Sequence, residues 1–172
     1  MNSNFRVPDY TELKDGIKKE NIQKQIKHIL QSQLYGILAT SYNNQPYMSL
    51  LAFFASKDMK SIYVATGRST HKFQNVNEND KVAFFIDTRE NNNFDVSSAY
   101  ALTIFGRAKA MDKKENTQIK KLYLSRHPQL DSFIHSQNVE FLQIKISSFS
   151  FVERFQNVYL LEMDNEDNNS IK

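Results

Sequence analysis

The feature that most constrains this chain is the brevity of the polar segments between its apolar runs. From Leu34 the sequence reads LYGILATSY, then the turn NNQ, then PYMSLLAFFAS, a turn within Lys57 to Lys60, SIYVAT, and after a short helical pattern KVAFFID. AYALTIFGRAKAMD, Phe141 to Phe149 and Val152 to Met163 continue the β-type patterning. Parallel strands need a crossover of about a dozen residues or more, so turns this short favour antiparallel pairing. Asn43 and Asn44 suit the first hairpin because Asn tolerates positive φ. The expected fold is mainly β: a six- to seven-stranded antiparallel barrel with flanking helices.

The helices are marked by a different period. Ile22, Ile26, Ile29 and Leu30 fall on one helical face after Gly16, with Asp15 as the expected cap. A second helix is expected over Lys113 to Arg126, amphipathic through Ile119, Leu122 and Tyr123. Gly106 inside a strand pattern predicts a bulge or a close backbone approach. PYMSLLAFFAS is apolar on both alternating sets, which calls for a cover on each face: the core on one, a ligand or second subunit on the other. The 172 residues offer no linker, so one domain is expected, with residues 1–15 as an N-terminal arm and 164–172 as a polar, disordered tail.

The strongest local signal for a ligand is YVATGRSTHKFQNV, Tyr63 to Val76. A strand ends at Thr66, a polar turn carries Gly67, Arg68, Ser69 and Thr70, and a helix opens with His71, Lys72 and Phe73. The first amides of a helix have no intrahelical partner and lie at the positive end of its dipole, so this is a cradle for a phosphate. Hydroxyls and the charges of Arg68 and Lys72 would add to it. The same residues also read as an N-cap beside a solvated basic face. Arg89, at the end of KVAFFID and the start of the polar loop Thr88 to Ser98, is a further anion contact or simply a surface charge.

Other chemistries find less support. A net charge of +3 is far from a nucleic-acid-binding stripe. No cysteine is present, which removes thiolate metal sites and fits a reducing cytoplasm. His28, His71, His127 and His135 are scattered without metal-ligand spacing, so no metal is expected. No apolar run reaches the roughly 18 residues of a membrane helix, and there is no nucleophile elbow, Walker motif or GxGxxG.

LATSYNNQPYMSLLAFFAS, IYVATGRSTHKFQNVNENDKVAFFID and ALTIFGRAKAM together resemble the pyridoxamine 5'-phosphate oxidase-related family of FMN-binding split barrels, over roughly Leu34 to Met111, with HPQLDSF and FVERFQNVYL similar to small bacterial members. The resemblance implies a Greek-key split barrel, a homodimer and one FMN in each of two clefts at the dimer interface. It implies that Ser49, Leu50, Leu51 and Ala52 lie along the flavin ring, that Ala65 and Thr66 meet the ribityl chain and phosphate, and that Thr70, His71 and Lys72 hold the phosphate. Phe155 and Gln156 would reach the ring from the partner subunit. Arg68 ranks below Lys72 in this reading. Pyridoxamine 5'-phosphate oxidases proper close with a segment containing Trp and Arg; this chain has no Trp and ends in an acidic tail, so that activity is not expected. An FMN-dependent oxidoreductase of unknown substrate is the first expectation, its catalytic residues unassigned. Heme binding on the same scaffold and a non-catalytic flavin module are the alternatives.

Overall fold

The computed structural model describes residues 11–13, 16–112, 116–154 and 157–163. Strands β2 (Tyr35–Tyr42) and β3 (Gln45–Ala55) form the expected hairpin, with Asn43 and Asn44 at φ of 48° and 62°. A tight turn follows, held by the Asp58 carboxylate, which accepts hydrogen bonds from the Ser56 hydroxyl and the Lys60 amide. It leads into β4 (Ser61–Gly67), after which helix α2 (His71–Glu78) carries the chain across to β5 (Lys81–Asp87). β5 pairs with the free edge of β2 rather than with β4, through Ile37↔Phe85 to Ala39↔Ala83. That choice is the source of the barrel's crossed-over strand order.

β6 (Ala101–Ala110) returns along β5 after the short helix α3 (Asp95–Ser98). Helix α4 (Asn116–Arg126), a 3₁₀ turn (Pro128–Leu130) and helix α5 (Asp131–Ile134) then lead to β7 (Val139–Glu153). β7 pairs with β4 on one side and β6 on the other, and so closes a six-stranded antiparallel barrel in the order β2, β3, β4, β7, β6, β5. β8 (Asn157–Glu162) extends the sheet from β7, and β1 (Thr11–Glu12) adds a parallel pair to β8.

The interior holds Leu38, Phe53, Ile62, Phe84, Leu102 and Ile144, all fully buried. Helix α1 (Ile17–Ser32) lays Ile22, Ile26, Ile29 and Leu30 on this core, the face its period predicts. Each such side chain contributes about 1.5–3 kcal/mol on burial. A second cluster lies outside the barrel, where α4 and α5 cover Ala52, Tyr63, Ala65 and Phe141. Gly106 sits where the β6–β7 register shifts, and a Cβ there would stand 2.3 Å from the Lys145 carbonyl oxygen. The close approach read from the sequence is therefore real.

Three boundaries differ from the sequence reading. β7 runs unbroken through Val152 because its ladders to β6 and β8 continue to that point, and the chain turns afterwards, with Arg154 at φ 48°. Thr11 and Glu12, assigned to the arm, are held in the sheet by β8. The residue before α1 is Gly16, with no side-chain cap; Asp15 lies outside the described residues. Among the described residues no helix is long and apolar enough to cross a membrane.

Candidate functional site

Two seams of the barrel pair over only three positions, β2 with β5 and β3 with β4, and it is the β3–β4 seam that α2 stands beside. These strands pair only at Phe53↔Val64, Phe54↔Tyr63 and Ala55↔Ile62. Below Phe53, Gln45 to Ala52 pair with β2 alone; beyond Val64, Ala65 to Gly67 pair with β7 alone. The two strands thus fork, and the fork leaves backbone groups on its edges without ladder partners. Ser49, Leu50, Leu51 and Ala52 form one edge, Ala65 and Thr66 the other, and the start of α2 stands at the Thr66 end.

Along β3 successive side chains alternate between faces. Ser49 and Leu51 share the inward set with Phe53. The Ser49 hydroxyl is buried and has no hydrogen-bond partner, an orphan polar atom inside the fork. Leu50 is 70% exposed on the outer face, beside Met48, also 70% exposed. Ala52 and Ala65 are sealed beneath α4 and α5, so their side chains are closed to a ligand.

At the start of α2 the hydroxyls form a chain. Thr70 donates to the Gly67 carbonyl at 2.8 Å, which spends its one proton, so Thr66 donates to Thr70 across 3.0 Å. Thr70 is the N-cap residue, yet its hydroxyl turns back to Gly67 and no side chain caps the helix. The opening amides of α2 are left as donors for something else. Lys72 is half-buried, and loss of hydration pulls its ammonium below the ordinary lysine range. No carboxylate pairs with it among the described residues. His71 is exposed, its ring tilted against Tyr47 of β3 with centroids 5.6 Å apart.

Arg68 is turned elsewhere. Its guanidinium is ion-paired with Glu140 of β7, and its amide donates to the Asn138 carbonyl at 2.9 Å. Arg89 lies 3.2 Å from Asp87 and is held there. Phe155 and Gln156 are outside the described residues. The strand pairings therefore set Ser49 to Ala52 on one edge of the fork and Ala65 and Thr66 on the other, with Thr70, His71 and Lys72 at the start of α2, while Arg68 and Arg89 are each turned to a carboxylate.

Two residues at the root of the fork were not singled out as site residues from the sequence. The buried Tyr123 hydroxyl, carried by α4, donates to the Ala52 carbonyl at 3.0 Å and faces the Ala65 backbone, so it stands where the next β3–β4 ladder bond would have been. Burial drives its pKa far upward, which keeps it a donor. His127, fully buried, donates from Nε2 to the Phe53 carbonyl at 2.8 Å. Its Nδ1 is then bare and unpartnered, and burial holds the ring neutral by lowering its pKa. Tyr123 and His127 are four residues apart, the spacing at which two side chains at a helix end share a face. That spacing is the signal in the sequence; only the docking of α4 shows what it touches.

The family model described as pyridoxamine 5'-phosphate oxidase matches residues 22–153, well over half of the chain. Comparison with curated proteins finds no match. Among solved structures, a putative pyridoxamine 5'-phosphate oxidase from Listeria innocua aligns at 15% identity and TM-score 0.61, covering 76% of this chain and 98% of that one. A FAD-binding protein from Mesorhizobium loti aligns at 18% identity and TM-score 0.59, covering 75% and 90%. A heme binding protein from Mycobacterium smegmatis aligns at 12% identity and TM-score 0.70, covering 79% of this chain and 55% of that chain. At these identities the structural matches speak to fold alone. With six antiparallel strands closed around one core and a family model spanning all of them, the chain belongs to the pyridoxamine 5'-phosphate oxidase-related split-barrel family.

Proposed function

We propose that the fork between β3 and β4 binds FMN and that the protein is a flavin-dependent oxidoreductase acting on a small molecule as a cytoplasmic homodimer. The observation that carries the reading is the coincidence of three unmet needs around one fork: an uncapped helix start, a half-buried ammonium with no counter-ion among the described residues, and strand edges that pair with no strand across the fork. A phosphate supplies the anion for Lys72, His71 and the α2 amides. A polar ring edge suits the backbone of Ser49 to Ala52, apart from the Ala52 carbonyl that Tyr123 holds, and the ribityl chain suits Thr66 beside Ala65. FMN, when bound, would supply hydride chemistry; the protein's part is to position the ring, exclude water and leave one face to the substrate.

The dimer reading rests on the outer face of β3, β2, β5 and β6. Met48 and Leu50 are exposed there, Tyr35 is 49% exposed, and register places Ile37, Phe85 and Phe105 on the same face. This is the second apolar face of β3 that α4 and α5 leave uncovered beyond Ala52. An exposed apolar surface of this extent suits a two-fold partner. Phe155 and Gln156 are the residues proposed to reach the ring across that interface.

The test is the visible spectrum of the purified protein, as isolated and after incubation with FMN. Flavin bands retained through gel filtration are the expected result, and a colourless protein that takes up none refutes the reading. Heme is the second reading, favoured by the name of the Mycobacterium smegmatis neighbour. Hemin titration separates the two: a 1:1 Soret end point indifferent to Lys72→Ala favours heme. Reduction by NADH or NADPH with and without acceptors separates an enzyme from a passive flavin carrier.

A further inference from the structure

A second concavity lies at the other end of β3 from the proposed flavin cleft. It is a groove of about 480 Å³ between the C-terminal half of α1, the β3–β4 turn and α4. Its floor includes Phe54 and Tyr63, whose rings stack with centroids 6.1 Å apart at 28°. Leu122 of α4, 38% exposed, lines one wall. The charged residues lining it are Lys27, Lys57 and Arg126, all basic.

Arg126 is the informative member. Arg68, Arg89 and Arg107 each have a carboxylate partner, Glu140, Asp87 and Asp80. Arg126 has none among the described residues. Its guanidinium donates to the Leu30 and Gln33 carbonyls at the end of α1 and lies over the Phe53 ring, 5.5 Å from its centroid. Neutral dipoles and a ring face hold it in place, and loss of hydration lowers its pKa. A cation so placed lacks an anion that solvent screening supplies poorly.

We propose that this groove is a binding site for an amphipathic monoanion, specifically a medium-chain fatty acid. Its hydrocarbon lies along Phe54, Tyr63 and Leu122, and its carboxylate meets the Lys27, Lys57 and Arg126 charges. The wall chemistry decides the class: stacked rings and an aliphatic side chain reward hydrocarbon burial, and a lining with no acid among the described residues rewards a negative head. A cation of the same length gains the first and is repelled by the second; an alcohol gains only the first. The site does not depend on the flavin reading, since it shares none of the residues assigned to that cleft.

The experiment is displacement of a fluorescent undecanoic acid by decanoate, below its micellar concentration, from the full chain. Decanoate is expected to bind more tightly than decanol or decyltrimethylammonium, and octanoate about tenfold more weakly than decanoate for the loss of two buried methylenes. Lys27 and Lys57 are exposed, so the double reversal Lys27→Glu, Lys57→Glu leaves the fold intact and should weaken decanoate by about tenfold or more. Leu122→Asp should abolish binding. Saturation with FMN should change nothing, and a protein that binds decanoate but no FMN would refute the flavin reading while leaving this one standing. The proposal is overturned if decanoate fails to bind, if the ammonium competes equally, or if affinity survives both sets of substitutions.

Discussion

Lys72 is the residue on which the flavin reading turns. Half-buried and without a carboxylate among the described residues, it would gain from a phosphate what it has lost in hydration. Lys72→Ala should weaken FMN by about 1.5–3 kcal/mol, the cost of one charge-assisted hydrogen bond, measured by flavin fluorescence titration. Only the protonated ammonium attracts the phosphate, so wild-type affinity should fall as pH rises through the lowered pKa. Lys72→Arg keeps its charge across that range and should flatten the decline. Unchanged affinity in the alanine variant would mean that the phosphate is not at this helix. The cradle was legible in the sequence because strand, turn and helix are contiguous there. The family resemblance ranked Lys72 above Arg68, but local pattern could not show why: Glu140, which takes Arg68, lies 72 positions away.

At the scale of elements, the existence of β2 to β8, the apolar face of α1, the Asn43–Asn44 hairpin and the Gly106 approach followed from local pattern, since each is set by neighbours a few residues apart, whereas β1 did not, because its only partner is β8. The fork did not, because pairing between β3 and β4 stops at Val64 for reasons that include a side chain from α4. Tyr123→Phe leaves the Ala52 carbonyl without its donor and should cost about 1–3 kcal/mol, read from denaturant midpoints. Faster amide exchange at Ala65 in that variant would identify the hydroxyl as what organises the root of the fork. Gly106→Ala drives a Cβ into the Lys145 carbonyl and should destabilise by about 1–3 kcal/mol or more, by the same measurement. An unchanged midpoint there would show that the bulge relaxes freely.

For the whole molecule, the outer face of β3 decides between a monomer and a pair. Leu50→Asp places a charge at the centre of the exposed patch without touching the barrel interior. Sedimentation should then show a dimer become monomeric, with FMN affinity falling as well if the partner completes the site. A variant that remains dimeric would put the interface elsewhere. The sequence showed that β3 needed two covers, because both of its alternating sets are apolar. It could not show that α4 and α5 supply one of them over Ala52 and Phe54 and stop short of Leu50.

β7 has one more consequence, which concerns time. Residues Leu142 to Lys145 are laddered to β4 on one side and β6 on the other, so the ring has no other closure. During synthesis β4 is made some 80 positions before its partner, Ser61 before Lys145. Until Val139 to Glu153 has left the ribosome, β4 and β6 present two bare strand edges, the usual template for association between unfinished chains. The nascent protein is thus at its most vulnerable just before the fifteen residues of β7 complete the barrel, and its dependence on chaperones should be concentrated in that interval.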